Sequence, residues 1–135
     1  MATSFASSTA RALLFVSCLG LGLIAAGCSD GDRPALGSVT GNVTMGGKPL
    51  SGVIVVFKPE VGRAATATTD EAGHYELTYS YGVEGSKVGP STISFEWPLG
   101  EAGAPIPSKY APGRSSLTKE VQARDNVFNF DLDPK

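Results

Sequence analysis

Residues 40–59, TGNVTMGGKPLSGVIVVFKP, restrict this chain to a β-fold before any other part of it is read. Val39, Val43 and Met45 fall on one face, and Thr40, Asn42 and Thr44 on the other. That period of two is what a half-buried strand requires, because successive side chains point to opposite faces. Gly46 and Gly47 can take the positive φ of a tight hairpin turn. Pro49 follows, where a missing amide donor does no harm to a central ladder. Gly52 then opens Val53-Ile54-Val55-Val56-Phe57. This run is too short for an ordinary helix and rich in β-branched residues, so it is expected to be the most deeply buried strand. Lys58-Pro59 ends it. The stretch therefore reads as two strands joined by a glycine turn.

The rest of the chain repeats the pattern. Residues 63–69, RAATATT, read as a strand of small residues and threonines. Asp70-Glu71-Ala72-Gly73 reads as a four-residue hairpin turn, with the aspartate bonding the backbone ahead and the glycine left-handed. In residues 74–79, Tyr75, Leu77 and Tyr79 should face inward, and His74, Glu76 and Thr78 outward. Residues 80–89 read as a loop. Residues 90–97 place Ile93, Phe95 and Trp97 inside, and Thr92, Ser94 and Glu96 outside. Residues 98–115 hold Pro98, Pro105, Pro107 and Pro112 and read as a long surface loop, anchored by Ile106 and Tyr110. Loops of this length in small domains are often functional. A less regular strand over 117–121, a turn at Asp125-Asn126 and a last strand over 127–132, with Phe128, Phe130 and Leu132 inside, complete the set. Seven strands with turn signals at intervals of about ten residues predict an all-β sandwich, with a small barrel as the alternative.

Residues 1–27 have a different character. Residues 12–26, ALLFVSCLGLGLIAA, form an uncharged apolar run after a single basic residue, Arg11. A spanning helix needs about 20 apolar residues, so this shorter run reads as a secretory signal peptide, with an uncleaved N-terminal anchor as the alternative. Leu23-Ile24-Ala25-Ala26-Gly27-Cys28 resembles a bacterial lipobox, although Ala25 stands where leucine is usual. The resemblance implies lipidation of Cys28 and cleavage before it; an ordinary signal peptide with an incidental Cys28 is the alternative. Two or more acyl chains hold a protein stably on a bilayer.

On this reading residues 1–27 are removed, residues 28–37 are a lipidated tether with a reach of about 17 Å, and residues 38–135 are one domain. A domain of that size buries roughly two-thirds of its unfolded surface. Cys18 lies in the signal and Cys28 carries lipid, so no disulfide forms within one mature chain. All 13 acidic residues and 10 of the 11 basic ones follow residue 27. The slightly acidic domain lacks the basic footprint of a nucleic-acid binder.

Several spaced motifs carry a family resemblance. Gly41-x-Val43, the run Gly47-Lys48-Pro49-Leu50-Ser51-Gly52, Val55-x-Phe57-x-Pro59 and Thr69-Asp70-Glu71-x-Gly73-x-Tyr75-x-Leu77 resemble the carboxypeptidase regulatory-like domain. The nearest form is the short lipoprotein version of planctomycete-type bacteria. Ile106-Pro107-Ser108-Lys109-Tyr110, then Ser116-Leu117-Thr118 and Asn126-x-Phe128-x-Phe130-x-Leu132, resemble the tail of those proteins. The likeness covers residues 38–133. It implies a transthyretin-like, Ig-like seven-stranded sandwich without catalytic activity or cofactor, exported and held at the cell membrane or outer membrane. The partner would be an envelope protein or a polysaccharide.

Few residues suggest chemistry. His74 is the only histidine and reads as a solvated strand residue; a zinc site would need three or four ligands. Asp70, Glu71 and Glu76 could offer oxygen ligands to calcium, but turn chemistry and a solvated face account for them. Tyr81, Trp97 and Tyr110 are the candidate ligand-binding residues, because aromatics on a sandwich can stack on sugar rings. The competing reading is that they pack the ends of the sandwich with their polar tips wet. The expected function is a non-catalytic interaction or structural module, with a carbohydrate-binding module or an accessory domain of a partner enzyme as alternatives.

Overall fold

The computed structural model describes residues 33–135. The signal segment, Cys28 and the tether up to residue 32 lie outside the described residues. Thirteen short strands run in chain order. They are β1 (Leu36–Gly37), β2 (Val39–Met45), β3 (Lys48–Pro49), β4 (Ile54–Pro59), β5 (Ala65–Thr68), β6 (His74–Glu76) and β7 (Thr78–Ser80). Then come β8 (Val83–Glu84), β9 (Ser86–Lys87), β10 (Gly89–Glu96), a 3-10 turn at Ser108–Tyr110, β11 (Thr118–Val121), β12 (Asn126–Val127) and β13 (Phe130–Leu132).

The protein is an all-β sandwich. One sheet runs β11-β10-β4-β5-β7-β8, antiparallel throughout. The other is built on β2, which pairs in parallel with β12 and β13 on one side and antiparallel with β3 and β6 on the other. A two-stranded ribbon, β1 with β9, closes one end. The last strand thus lies beside the first long one, with Phe130 opposite Val43 and Leu132 opposite Met45.

Between the sheets lie Val39, Val43, Val53, Val55, Phe57, Tyr75, Leu77, Ile93, Phe95, Val121, Phe130 and Leu132, all buried. The inward positions expected from alternation in β2, β10 and β13 are confirmed in Val39, Val43, Ile93, Phe95, Phe130 and Leu132. The run 53–57, expected to be buried throughout, alternates instead: Val53, Val55 and Phe57 are buried, and Ile54 and Val56 half-buried. Phe130 is the central ring, 5.4 Å from Phe95, 6.2 Å from Phe57 and 6.3 Å from Tyr75 by centroid. Offset and edge-on contacts of this kind add to what the burial of each ring contributes.

Three further expectations are corrected. First, the Gly46-Gly47 hairpin exists, with φ of 58° and 80°, but its second arm is only Lys48–Pro49. The apolar strand after Gly52 joins the opposite sheet as β4, because the chain crosses over at Leu50. Second, Asp70–Gly73 does not join two partners of one sheet. It is a corner between sheets: β5 pairs in the large sheet, whereas β6 pairs with β2. Residues 74–79 are accordingly not one strand. The chain switches sheets at Leu77, whose N–H donates to the Val39 carbonyl at 2.9 Å, and Thr78 returns to pair with Thr66. Third, residues 80–89 hold β8 and β9 rather than a plain loop, and Asn126 begins a strand rather than making a turn.

One threonine makes the crossover possible. The Thr69 hydroxyl donates to the Leu50 carbonyl at 2.6 Å and accepts from the Val53 N–H at 3.0 Å. Its backbone also bonds Gly52 and Val53. A buried segment that leaves a sheet strands its polar backbone groups, and each needs a partner. Thr69, 4% exposed, supplies them.

Candidate functional site

The three aromatic candidates occupy three different environments. Tyr81 follows β7 in a turn and is fully exposed. Trp97 follows β10, is partly buried, and donates its indole N–H to the Ala104 carbonyl at 3.0 Å. The backbone of Gly103 lies against its six-membered ring so closely that a methyl group there would sit 2.1 Å from Cζ2. Tyr110 meets Phe95 edge-on at 6.3 Å, and its hydroxyl accepts the Asp133 N–H at 3.1 Å.

Strand register keeps the first two apart. Thr66 lies opposite Thr78 and Ala65 opposite Phe57, which puts Tyr81 level with Pro59. Glu96 lies opposite Ile54, which puts Trp97 level with Val53. Six residues along a strand is about 20 Å. Tyr81 and Trp97 therefore stand at opposite ends of the large sheet and share no platform, and Tyr110 is held in the 98–115 loop against the core. Ile106 and Tyr110 anchor that loop as expected, both packed on the core. The Ser115 hydroxyl ties its end to the Ile93 carbonyl.

The polar residues of the corner serve the backbone. Asp70 Oδ1 accepts the N–H groups of Ala72 and His74, each at 2.9 Å, and Gly73 takes a φ of 77°. His74, Glu71 and Glu76 are exposed. Among the described residues no three His, Cys, Asp or Glu side chains converge. Asp131 bridges the first hairpin to the last strand, accepting from the Thr44 hydroxyl at 2.8 Å and the Gly47 N–H at 3.2 Å.

Sequence reasoning missed two braces and a groove. The Asn126 side-chain amide donates to the carbonyls of Ser38, Gln122 and Arg124, and its oxygen accepts the Gln122 N–H. The Tyr75 hydroxyl donates to the Phe128 carbonyl at 2.7 Å, and burial pushes its ionisation well above the ordinary tyrosine range. An Asn read as a turn former and a Tyr read as an inward ring gave no separate signal of these bonds. On the outer face of the large sheet a shallow groove of about 390 Å³ is lined by Lys58, Pro59, Glu60, Pro90, Thr92 and Thr118. Register makes it: Thr92 lies opposite both Lys58 and Thr118. These residues are far apart in sequence, so no local motif marks them. None of Tyr81, Trp97 and Tyr110 lines it. No protein-family model matches the chain, and no curated protein matches its sequence.

Proposed function

We propose that the chain is a lipid-anchored bacterial lipoprotein whose β-sandwich is a non-catalytic interaction module of the cell envelope. One observation carries the reading. At the joints of the fold, Thr69, Tyr75, Asn126 and Asp131 take backbone groups of other segments as partners, and Asp70 takes those of its own turn. Their chemistry is committed to bracing a rigid scaffold, and a rigid scaffold presents surfaces. The lipobox resemblance at residues 23–28 supports export and anchoring through Cys28, and the likeness to the carboxypeptidase regulatory-like domain supports a module that works beside other proteins.

Two measurements test the reading. Cys28→Ser should release the protein into the soluble fraction; retention in the membrane with an uncleaved N-terminus would point to a spanning segment instead. Residues 29–135 should co-sediment with the envelope of the source cell, and protease treatment of that envelope should abolish the binding. Binding that survives protease would replace the protein partner with a polysaccharide or lipid, the alternative to which the exposed Tyr81 ring lends itself.

A further inference from the structure

Resting on the lipid-anchor reading, we propose that the end of the sandwich where the tether enters lies against the bilayer surface, with Tyr81 and Val61 at the interface and arginines toward anionic headgroups. The fold begins at that end. The Ala35 carbonyl accepts the Val88 N–H at 2.9 Å, and Leu36 pairs with Lys87. The Lys87 ammonium in turn donates to the Val61 carbonyl at 2.7 Å, which fixes the 60–63 loop beside the entry point. Tyr81 lies in the turn before β8 and β9, the segment whose Gly85 packs against Gly37.

Two of the large exposed apolar side chains stand there. Among the described residues the large exposed ones are Val61 at 72%, Tyr81 at 104%, Leu99 and Val127. Val61 and Tyr81 stand on this tip, whereas Val127 lies farther along the other sheet, opposite Thr40. Leu99 lies at the other end, just after β10 and Trp97. Tyrosine suits the headgroup level because its ring is apolar and its hydroxyl is wet. The same tip carries Arg33, Arg63 and Arg124, all exposed, with Glu60, Glu120 and Asp125 as its acidic residues. Asp125 already accepts the Ser38 hydroxyl at 2.6 Å. Among the described residues the one ion pair is Lys109 with Asp133, so Arg63 and Arg124 face no described carboxylate and can meet lipid phosphate.

Chain length favours the same orientation. Cys28 lies eight residues before Leu36, which spans about 28 Å at full extension and about 16 Å as a flexible coil. Trp97 sits about 20 Å farther along the sandwich. Tethering makes contact with the membrane intramolecular, so individually weak contacts are enough to hold this tip down.

The single native tryptophan gives the test a built-in control. The full-length lipidated protein is reconstituted into vesicles of phosphatidylcholine and phosphatidylglycerol that carry bromine near the headgroup. The wild type reports Trp97, at the far end. Tyr81→Trp adds a second indole at the tip, where full exposure makes the exchange harmless to the fold. The added emission should be quenched and blue-shifted while wild-type emission is not. Arg63→Ala in the Tyr81→Trp protein should lower the docked-to-free ratio about fivefold. Protein that floats with the vesicles but leaves the added indole unquenched would overturn the docking and leave the anchor standing. Quenching of Trp97 instead would overturn it by inverting the domain. Protein that fails to float would remove the anchor and the docking together.

Discussion

Gly47 and Gly73 have almost the same backbone conformation, with φ of 80° and 77°, yet they do different jobs. Gly47 turns a hairpin in open solvent, where a methyl group would meet nothing within 4 Å. Gly73 turns a corner between sheets, where a methyl group would lie 2.4 Å from the Val43 carbonyl. That closeness has a cause: the Gly73 carbonyl accepts the Val43 N–H at 2.8 Å, so the corner is docked onto β2. A left-handed turn that only reverses a strand needs the right φ. One that carries the chain from one sheet to the other also needs room for a neighbouring backbone.

Substitution should separate the two. Gly73→Ala combines left-handed strain with a backbone clash and should cost about 3 kcal/mol or more, read as a fall in the urea midpoint. A loss below about 1 kcal/mol would show that the corner is not docked as described. Next in size, Thr69→Val keeps the shape of the joint but deprives the Leu50 carbonyl and the Val53 N–H of their partner. It should cost about 2 kcal/mol, and an unchanged midpoint would remove Thr69 from its bracing role.

Tyr75→Phe should cost about 1 kcal/mol, since it leaves the Phe128 carbonyl without its donor. It should also change the response to alkali. Burial raises the Tyr75 hydroxyl above its ordinary value of 10.0 in the folded protein. The unfolded chain therefore releases this proton first, so the contribution is complete below that value and is lost as the pH rises above it. Wild type should lose stability faster than Tyr75→Phe above pH 10.0, and parallel curves would refute the assignment. Gly47→Ala should have the smallest effect, about 1 kcal/mol from left-handed strain alone. A loss as large as that of Gly73→Ala would erase the distinction between hairpin and corner.

The same distinction shows how much could be read from the residues. Both turns were legible as turns, and the glycines of both, together with Asp70 in the corner, act as their types predict. The inward faces of β2, β10 and β13 were legible too, since alternation needs only a strand's own residues. The pairing was not. Nothing in residues 74–79 marks Leu77 as the point where the chain changes sheets, because Tyr75 and Leu77 are inward in either arrangement. Trp97 and Tyr110 look like available aromatics until Gly103 and Phe95 are seen against them.

By itself, then, the sequence determined the β class, the turns and which side of each alternating strand is apolar, because these follow from backbone sterics and the spacing of near neighbours. The tertiary structure alone decided that β4 leaves the first hairpin's sheet, that the last strand lies parallel to β2, and that Lys58, Thr92 and Thr118 line one groove. It also set Tyr81 and Trp97 at opposite ends. Those outcomes depend on contacts between distant segments, such as Val43 with Phe130 across 87 residues of chain. Such contacts form only when two buried faces are matched across the whole core, and no local pattern encodes that match.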